Sequence, residues 1–422
     1  MTTDWTEVRA RAALMTIFRA GLTRADPAVS LTGVLPERPK GRCIVVGAGK
    51  ASAAMASALE AAWPDVALSG LVITRYGHAT PTTRIRIVEA AHPVPDGRGL
   101  AATAQMLSLV SGLGPEDLVI ALISGGGSAL LVSPVDGVSL AAKQELNRQL
   151  LHSGAAIDEM NIVRSHLSRV KGGGLARAAW SARVVTLLIS DVPGDDPATI
   201  ASGPTIPART SRAEARAILS RHRMTPPPEI AAALEGEVAP PPPATLDIRM
   251  VCTPQHALDA MAVAARNLGL SPLILGDALE GEARAMGQTL AGIALSVARH
   301  GEPATRPAVI LSGGEGSVTL SGKRPGRGGR NTECLLGAVL AARGTPGVYA
   351  IACDSDGIDG SEDAAGALMT PSTLARGQKA GLDAAAHLSA HDSYSYFAAL
   401  GDLVVTGPTL TNVNDLRAFL VV

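Results

Sequence analysis

Short apolar runs rich in β-branched residues recur along the chain, with Ala-rich stretches of helical length between them. The apolar runs predict buried strands at residues 43–47, 70–74, 85–90, 118–123, 184–190, 248–252, 273–275, 308–311, 349–353 and 403–405. The intervening stretches predict helices at residues 51–62, 99–111, 257–267, 282–299 and 331–342. Such alternation is typical of the α/β class, in which helices cover a largely parallel sheet.

A run of four prolines at residues 240–243 interrupts this alternation. Proline cannot continue a helix and favours an extended linker, and 422 residues suffice for two or three domains. We therefore predict two Rossmann-like α/β/α domains, at residues 1–239 and 244–422, and a ligand-binding cleft between them.

Composition narrows the functional classes. The net charge of -1 gives no basic field for nucleic acid, and an aromatic content of 2% leaves no platform for base stacking. No window of 18 apolar residues predicts a membrane span, and the N-terminus lacks a signal-peptide pattern. Four scattered cysteines favour a reducing compartment, so we expect a cytoplasmic enzyme acting on small molecules.

The first chemical signal is a glycine-rich turn after the first predicted strand. Gly47 and Gly49 permit a tight turn into a helix, and Lys50 adds positive charge beside the free amides expected at its start. A dinucleotide-binding fingerprint would need glycine in place of Ser52, and the nearest candidate for its ribose-binding acid is Asp65. The pattern therefore favours a phosphate group over NAD.

A second turn follows the strand at residues 118–123. It predicts a nest of backbone amides for phosphate oxygens and consists of Ser124, Gly125, Gly126, Gly127 and Ser128. Lys171 precedes another triple glycine and is preceded by Arg164, His166 and Arg169. We expect Lys171 to contact an anionic ligand there.

Carboxylates follow two other predicted strands. Asp191 and Asp356 lie in loops that directly follow apolar runs, where one or two carboxylates and phosphate oxygens could hold Mg²⁺. The alternative for each aspartate is an Asx turn or a helix cap.

A basic, glycine-rich loop covers residues 323–330. It follows Glu315 and ends at a predicted helix that starts with Asn331, and we expect both residues to contact nucleotide or substrate. We expect Arg330 to bind an anionic group because it adjoins the helix start, whereas Lys323 and Arg324 are expected to be solvated. A mobile loop of this kind could close over substrate.

These motifs resemble those of a known family, the glycerate 2-kinases of the second type, whose C-terminal domain is called MOFRL and whose members have also been named hydroxypyruvate reductases. The resemblance covers nearly the whole chain and rests on VVGAGKA, HPVPDGRG, SGGGSALL, VRSHLSRVKGGGLA, SDVPGDDPATIASGPT, GRGGRNTE, CDSDGIDG, HDSYSYF and TGPTLTNVNDL. It implies two α/β domains with the active site between them.

The resemblance also implies ATP- and Mg²⁺-dependent phosphorylation of D-glycerate at its 2-hydroxyl, giving 2-phosphoglycerate. Lys50 and Arg330 match the family's expected active-site cations, and we predict Asp191 as the third catalytic residue. Leu410 departs from the pattern, because the family usually has glycine there. NAD(P)H-dependent reduction of hydroxypyruvate and non-catalytic sensing of a phosphorylated metabolite are the alternatives, and a homo-oligomer is left open.

Overall fold

The chain divides into two compact units in the computed structural model, which describes residues 5–155, 157–236, 246–320 and 326–422. Pro27–Val251 form the N-unit, and Met1–Asp26 join Cys252–Val422 in the C-unit. The predicted linker at residues 240–243 lies outside the described residues. The observed division differs from the predicted one because the first helix packs with the C-terminal part of the chain.

A six-stranded sheet forms the centre of the N-unit. Its strands are β1 (Cys43–Ala48), β2 (Leu68–Arg75), β3 (Ile85–Ala90), β4 (Leu118–Ser124), β5 (Arg183–Ile189) and β6 (Asp247–Cys252). Their order is β3-β2-β1-β4-β5-β6, and β1 pairs in parallel with both β2 and β4. The strand order therefore reverses between β1 and β4, which is where open α/β sheets bind ligands.

Helices surround this sheet and also form a separate helical layer. The N-unit helices are α2 (Pro27–Ser30), α3 (Ser52–Ala62), α4 (Gly97–Val110), α5 (Gly127–Leu130), α6 (Leu140–His152), α7 (Ile157–His166), α8 (Gly174–Ala178), α9 (Arg212–Arg221) and α10 (Pro228–Ala233). Helices α3 and α4 pack on β2. Helices α6, α7, α9 and α10 bury their own apolar cluster, which includes Leu146, Val163, Ile218 and Ile230.

The C-unit contains a second six-stranded sheet. Its strands are β7 (Ser271–Gly276), β9 (Ala308–Ser312), β11 (Val348–Asp354), β12 (Gly366–Met369), β13 (Leu403–Val404) and β14 (Asp415–Val421), and β8 (Gly281–Glu282) pairs separately with β10 (Gly316–Ser317). The order is β13-β12-β11-β14-β9-β7. Strand β14 runs antiparallel to both β11 and β9. The expectation of a largely parallel sheet therefore holds in the N-unit, whereas the sheet of the C-unit is mixed.

Seven helices of the described chain pack in the C-unit. They are α1 (Glu7–Ala25), α11 (Pro254–Asn267), α12 (Ala283–His300), α13 (Arg330–Ala342), α14 (Thr373–Lys379), α15 (Ala384–Ser389) and α16 (Ser393–Leu400). Helix α1 buries Leu14, Ile17 and Phe18, and it contacts α11 and β14. Helix α13 contacts α12 and places Arg330 at its first position.

Candidate active site

Two glycine-rich turns bond to each other at the carboxyl ends of β1 and β4. The Lys50 amide donates to the Gly125 carbonyl over 2.8 Å, and the Ala51 amide donates to Ser124 Oγ over 3.0 Å. These two amides, which precede α3, are therefore unavailable to an anion. The neighbouring turn satisfies them instead.

The buried parts of both turns have structural roles. Gly49 has a φ of +147°, and a Cβ there would overlap Ser124 Oγ, so only glycine fits. Gly47 likewise lies against the Leu122 carbonyl in β4. Ser124 is fully buried and also contacts the Ser52 hydroxyl at 3.2 Å. The predicted ligand-binding role of Gly47, Gly49 and Ser124 thus becomes one of joining the two turns.

Three side chains from different loops converge on the turn formed by Gly125–Gly127. The Asp191 carboxylate lies so close to Gly125 that a Cβ at this position would overlap it. A Cβ on Gly126 would lie 3.1 Å from His92 Nε2 and 3.4 Å from Lys50 Cγ. We call Lys50, His92, Asp191 and Gly125–Gly127 the glycine-loop site.

The structure thus brings together predicted residues that are far apart in sequence. Lys50 follows β1, the glycines follow β4 and Asp191 follows β5, and these are adjacent strands of one sheet. Sequence reasoning missed His92, which follows β3. The motif HPVPDGRG contained it, but a lone histidine after a strand carries no spacing that identifies a ligand.

Lys171 is buried beside the same turn. Its Nζ donates to the carbonyl oxygen of Ser128 over 2.6 Å and to Ser128 Oγ over 2.7 Å, and that hydroxyl also contacts Ser202 Oγ at 2.8 Å. Burial lowers the pKa of Lys171 well below its usual value, and the positive charges of Lys143 and Arg164 lower it further. The predicted residues Ser128 and Lys171 therefore contact each other.

A cavity of about 220 Å³ opens beside Gly126 and Ser128. Lys143, Arg164 and Lys171 line it together with His92 and a wall of leucines. We call it the cationic cavity. Sequence reasoning missed Lys143, because a lysine within an amphipathic helix normally points to solvent, whereas this side chain is only 9% exposed and donates to the Leu167 carbonyl.

A second concentration of predicted residues lies in the C-unit. Arg330 forms ion pairs with Asp354 over 2.7 Å, with Asp415 over 2.8 Å and with Glu315. Burial alone would lower the pKa of Arg330, but these carboxylates raise it above its ordinary value. We call these four residues the Arg330 cluster. The guanidinium expected to bind an anionic ligand is thus surrounded by carboxylates of the protein.

The neighbouring polar residues are also engaged. Asn331 is fully buried, and its side-chain nitrogen donates to Asp415 over 2.7 Å. Asp359 accepts the amides of Asn331 and Thr332 at the start of α13, and burial raises its pKa to about 6 despite these bonds. Asp356 accepts the Ile358 amide over 2.9 Å, which is the Asx-turn alternative to a metal ligand.

Part of the predicted basic loop is anchored. Lys323 and Arg324 lie outside the described residues. The Arg327 guanidinium pairs with Glu362 and stacks over the Tyr394 ring at 4.1 Å, while its amide donates to Asp392. The expectation of a mobile loop therefore does not apply to residues 326–329, which are bound to neighbouring elements.

Neither a ready-made metal site nor a membrane-spanning helix is found in the described part of the chain. It contains no group of three or more His, Cys, Asp or Glu side chains placed to hold a metal ion. Magnesium usually takes only one or two protein carboxylates and completes its shell with phosphate and water, so Asp191 beside the glycine turn fits such an ion. Among the described helices, none is long and apolar enough to cross a membrane.

Comparison with known proteins gives matches over nearly the whole chain. A family described as a domain of unknown function (DUF4147) matches residues 13–235, and the MOFRL family matches residues 308–415. A protein of Agrobacterium vitis, provisionally named hydroxypyruvate reductase, is 58% identical over 99% of this chain and 96% of its own. D-glycerate 2-kinase of Thermotoga maritima is 37% identical over 96% of this chain and 97% of its own.

A solved structure agrees with these matches. The crystal structure of glycerate kinase from Thermotoga maritima superposes with a TM-score of 0.91 at 36% identity, and covers 98% of this chain and 99% of that one. Sequence and fold are thus shared over the full length of both proteins. The chain belongs to the glycerate kinase family, and it contains both a DUF4147 and a MOFRL match.

Proposed function

We propose that this protein transfers the γ-phosphoryl group of ATP to the 2-hydroxyl of D-glycerate in the presence of Mg²⁺. The O–P bond to glycerate forms, the bond between the β- and γ-phosphates breaks, and 2-phosphoglycerate, ADP and a proton are released. The kinase names of the relatives support this assignment. The single observation that carries it is the convergence of Lys50 and Asp191 on the glycine turn after β4.

Phosphoryl transfer depends mainly on positioning and charge neutralisation. In the glycine-loop site, Lys50 supplies a positive charge beside Gly126, which itself carries no side chain that would keep a phosphate group from the backbone. Asp191 is the proposed ligand of magnesium at this site, and magnesium supplies neutralisation of phosphate charge when bound. Asp356 of the C-unit stays a predicted magnesium ligand, although its carboxylate accepts the Ile358 amide. Gly125 leaves the space in which the Asp191 carboxylate lies.

Arg330 stays in the proposal as a cation that is already paired with carboxylates of the protein and would bind an anionic substrate group by exchanging one of them. Its two buried partners, Asp354 and Asp415, are 4% and 0% exposed, whereas Glu315 is 46% exposed. Glu315 is therefore the partner that an anionic substrate group would most easily replace. Asn331 supports this arrangement by bonding to Asp415 from the same helix.

The test is a side-by-side assay of the purified protein. One arm contains ATP, Mg²⁺ and D-glycerate, and the other contains NAD(P)H and hydroxypyruvate. We expect ADP formation that requires both D-glycerate and Mg²⁺, with 2-phosphoglycerate identified by phosphorus NMR against a 3-phosphoglycerate standard. Oxidation of NAD(P)H without glycerate-dependent ADP formation would refute the kinase assignment.

The reductase alternative is favoured by the name of the 58% identical relative and by the strand order of the N-unit, which dinucleotide-binding domains share. Against it, Ser52 stands in place of the third glycine and is fully buried. Asp65 precedes β2 and pairs with Arg38, so it is not at the carboxyl end of a strand, where the ribose-binding acid is needed. A sensor would bind nucleotide or phosphometabolite with no turnover in either arm.

A further inference from the structure

The cationic cavity holds three positive side chains that no carboxylate of the described residues contacts. The Lys143 amine donates to the Leu167 carbonyl, the Lys171 amine to Ser128, and Arg164 Nε to the Asn147 side-chain oxygen over 2.7 Å. All these acceptors are neutral. Each of the three cations also keeps further N–H groups beyond these bonds, since lysine has three donors and arginine five.

Burial makes this arrangement costly without a ligand. Loss of water lowers the pKa of Lys143 to about 7, and the neighbouring Arg164 lowers it further. Lys171 is affected in the same direction by both of its cationic neighbours. Buried charges are normally paired, so three clustered cations without a carboxylate among the described side chains favour an anion supplied by a ligand.

The cavity limits which anion can enter. Its volume of about 220 Å³ lies below the range of roughly 300–1,000 Å³ typical of pockets for drug-sized ligands. Much of its wall is apolar and includes Leu131, Leu146, Leu150 and Leu167. A low-dielectric wall strengthens the attraction between a cation and an anion. The cavity therefore suits a short organic acid better than a nucleotide.

The position of the cavity connects it to the proposed chemistry. Gly126 and His92 form part of its lining, and Gly126 is also the residue next to Lys50 Cγ in the glycine-loop site. An acid whose carboxylate lies among the three cations can place a hydroxyl group toward the glycine turn.

We propose that the cationic cavity binds the carboxylate of the short hydroxy acid that is phosphorylated, and that Lys143 and Arg164 select for this carboxylate. This assignment rests on the proposed kinase function. It gives the carboxylate a binding site within the N-unit, built from α6, α7 and the loop carrying Lys171. Arg330 is then not needed for the carboxylate.

The first test is calorimetric titration of the full-length protein with D-glycerate and, separately, with glycerol, which lacks the carboxylate. We expect Lys143→Met and Arg164→Met each to raise the Kd for D-glycerate at least about tenfold, the scale of one hydrogen bond to a charged group. Glycerol should bind weakly and equally to all variants. Arg148→Met is the matched control, because Arg148 is an exposed cation of the same helix paired with Glu145.

A second measurement distinguishes ligand contact from a structural role. A carboxylate placed among Lys143, Arg164, Lys171 and His92 raises the pKa of Lys143, so binding near pH 8 takes up protons. Titration in two buffers of different ionisation enthalpy measures this uptake, which Lys143→Met should reduce but not abolish, because Lys171 in the same cavity also has a lowered pKa. Circular dichroism and thermal unfolding confirm that the variants fold, as expected when methionine replaces a buried lysine.

The outcomes separate this proposal from the kinase assignment. A Kd for D-glycerate within twofold of wild type in both folded variants overturns the carboxylate site, even if 2-phosphoglycerate is formed. Binding to the wild type without proton uptake, or no binding at all, also overturns it. The predicted pattern of Kd values in a protein that forms no ADP supports the carboxylate site while refuting the kinase assignment.

Discussion

The cationic cavity and the Arg330 cluster differ in whether their positive side chains are paired with carboxylates. In the N-unit, Lys143, Arg164 and Lys171 lie together without a carboxylate among the described residues. In the C-unit, the single guanidinium of Arg330 is paired with three carboxylates. Lys171 and Arg330 both come from motifs in which a basic residue adjoins glycines. A basic residue in such a motif therefore indicates where charge lies, while only its surroundings decide whether that charge is available to a ligand.

The largest expected effect is the loss of stability when the Arg330 cluster is disrupted. Arg330→Met leaves Asp354 and Asp415 buried beside an apolar side chain, and removing one partner of a buried ion pair costs about 3–5 kcal/mol. Chemical denaturation should show a correspondingly lower free energy of unfolding. Arg327→Met is the control, because the Arg327 side chain is 59% exposed and loss of its pair with Glu362 should lower the free energy of unfolding far less than Arg330→Met does. Equal midpoints for wild type and Arg330→Met would show that the cluster is not a stabilising network.

In the cationic cavity, loss of positive charge should raise the free energy of unfolding rather than lower it. The folded-state pKa of Lys143 is lowered to about 7 from 10.5, so between these values the unfolded chain binds the extra proton. Stability should therefore rise with pH by up to about 1.4 kcal/mol per unit from pH 7 to 10. Below pH 7 the full cost of the buried charge is present. Denaturation of wild type and Lys143→Met across this range measures the difference, and parallel pH profiles would contradict the prediction.

Turnover tests the glycine-loop site more directly. Lys50→Met keeps the aliphatic stem but removes the charge beside the glycine turn, so we expect kcat for D-glycerate phosphorylation to fall about 100-fold, or 2.7 kcal/mol. Lys40→Met, an exposed lysine before β1, should retain wild-type turnover. A folded Lys50→Met enzyme with near wild-type kcat would remove Lys50 from the proposed mechanism.

The smallest expected effect concerns the departure from the family pattern at residue 410. Leu410 adopts a φ of +60°, in the left-handed region that disfavours a branched side chain. Leu410→Gly should relieve this strain and stabilise the C-unit by about 0.5–1 kcal/mol after the entropy of glycine is subtracted. Val405 is exposed and is not one of the residues with a positive φ, so Val405→Gly should lower the stability of the C-unit instead. Thermal unfolding of both variants measures the contrast.

The sequence predicted the N-unit sheet well because its central strands β1 and β4 are continuous apolar runs, each followed by a helix. It did not predict β14, in which the buried Arg417 interrupts the apolar pattern and pairs with Asp415. It placed Lys50, Asp191 and the glycine turn together because the carboxyl ends of parallel strands lie at one edge. It missed the role of Lys143 and the pairing of Arg330, since both depend on contacts between residues distant in sequence.

Helix α1 is synthesised long before the helix on which it packs. Its apolar face packs with α11, yet all 225 residues of Pro27–Val251 are synthesised between the two. At about 5–20 residues per second, the ribosome needs roughly 11–45 s to reach α11. During this interval Leu14, Ile17 and Phe18 lack their final partner, while the N-unit can already fold. During synthesis, the apolar face of α1 therefore stays unpacked until α11 has been made. The nascent chain is for this reason a natural client of chaperones that hold exposed apolar segments.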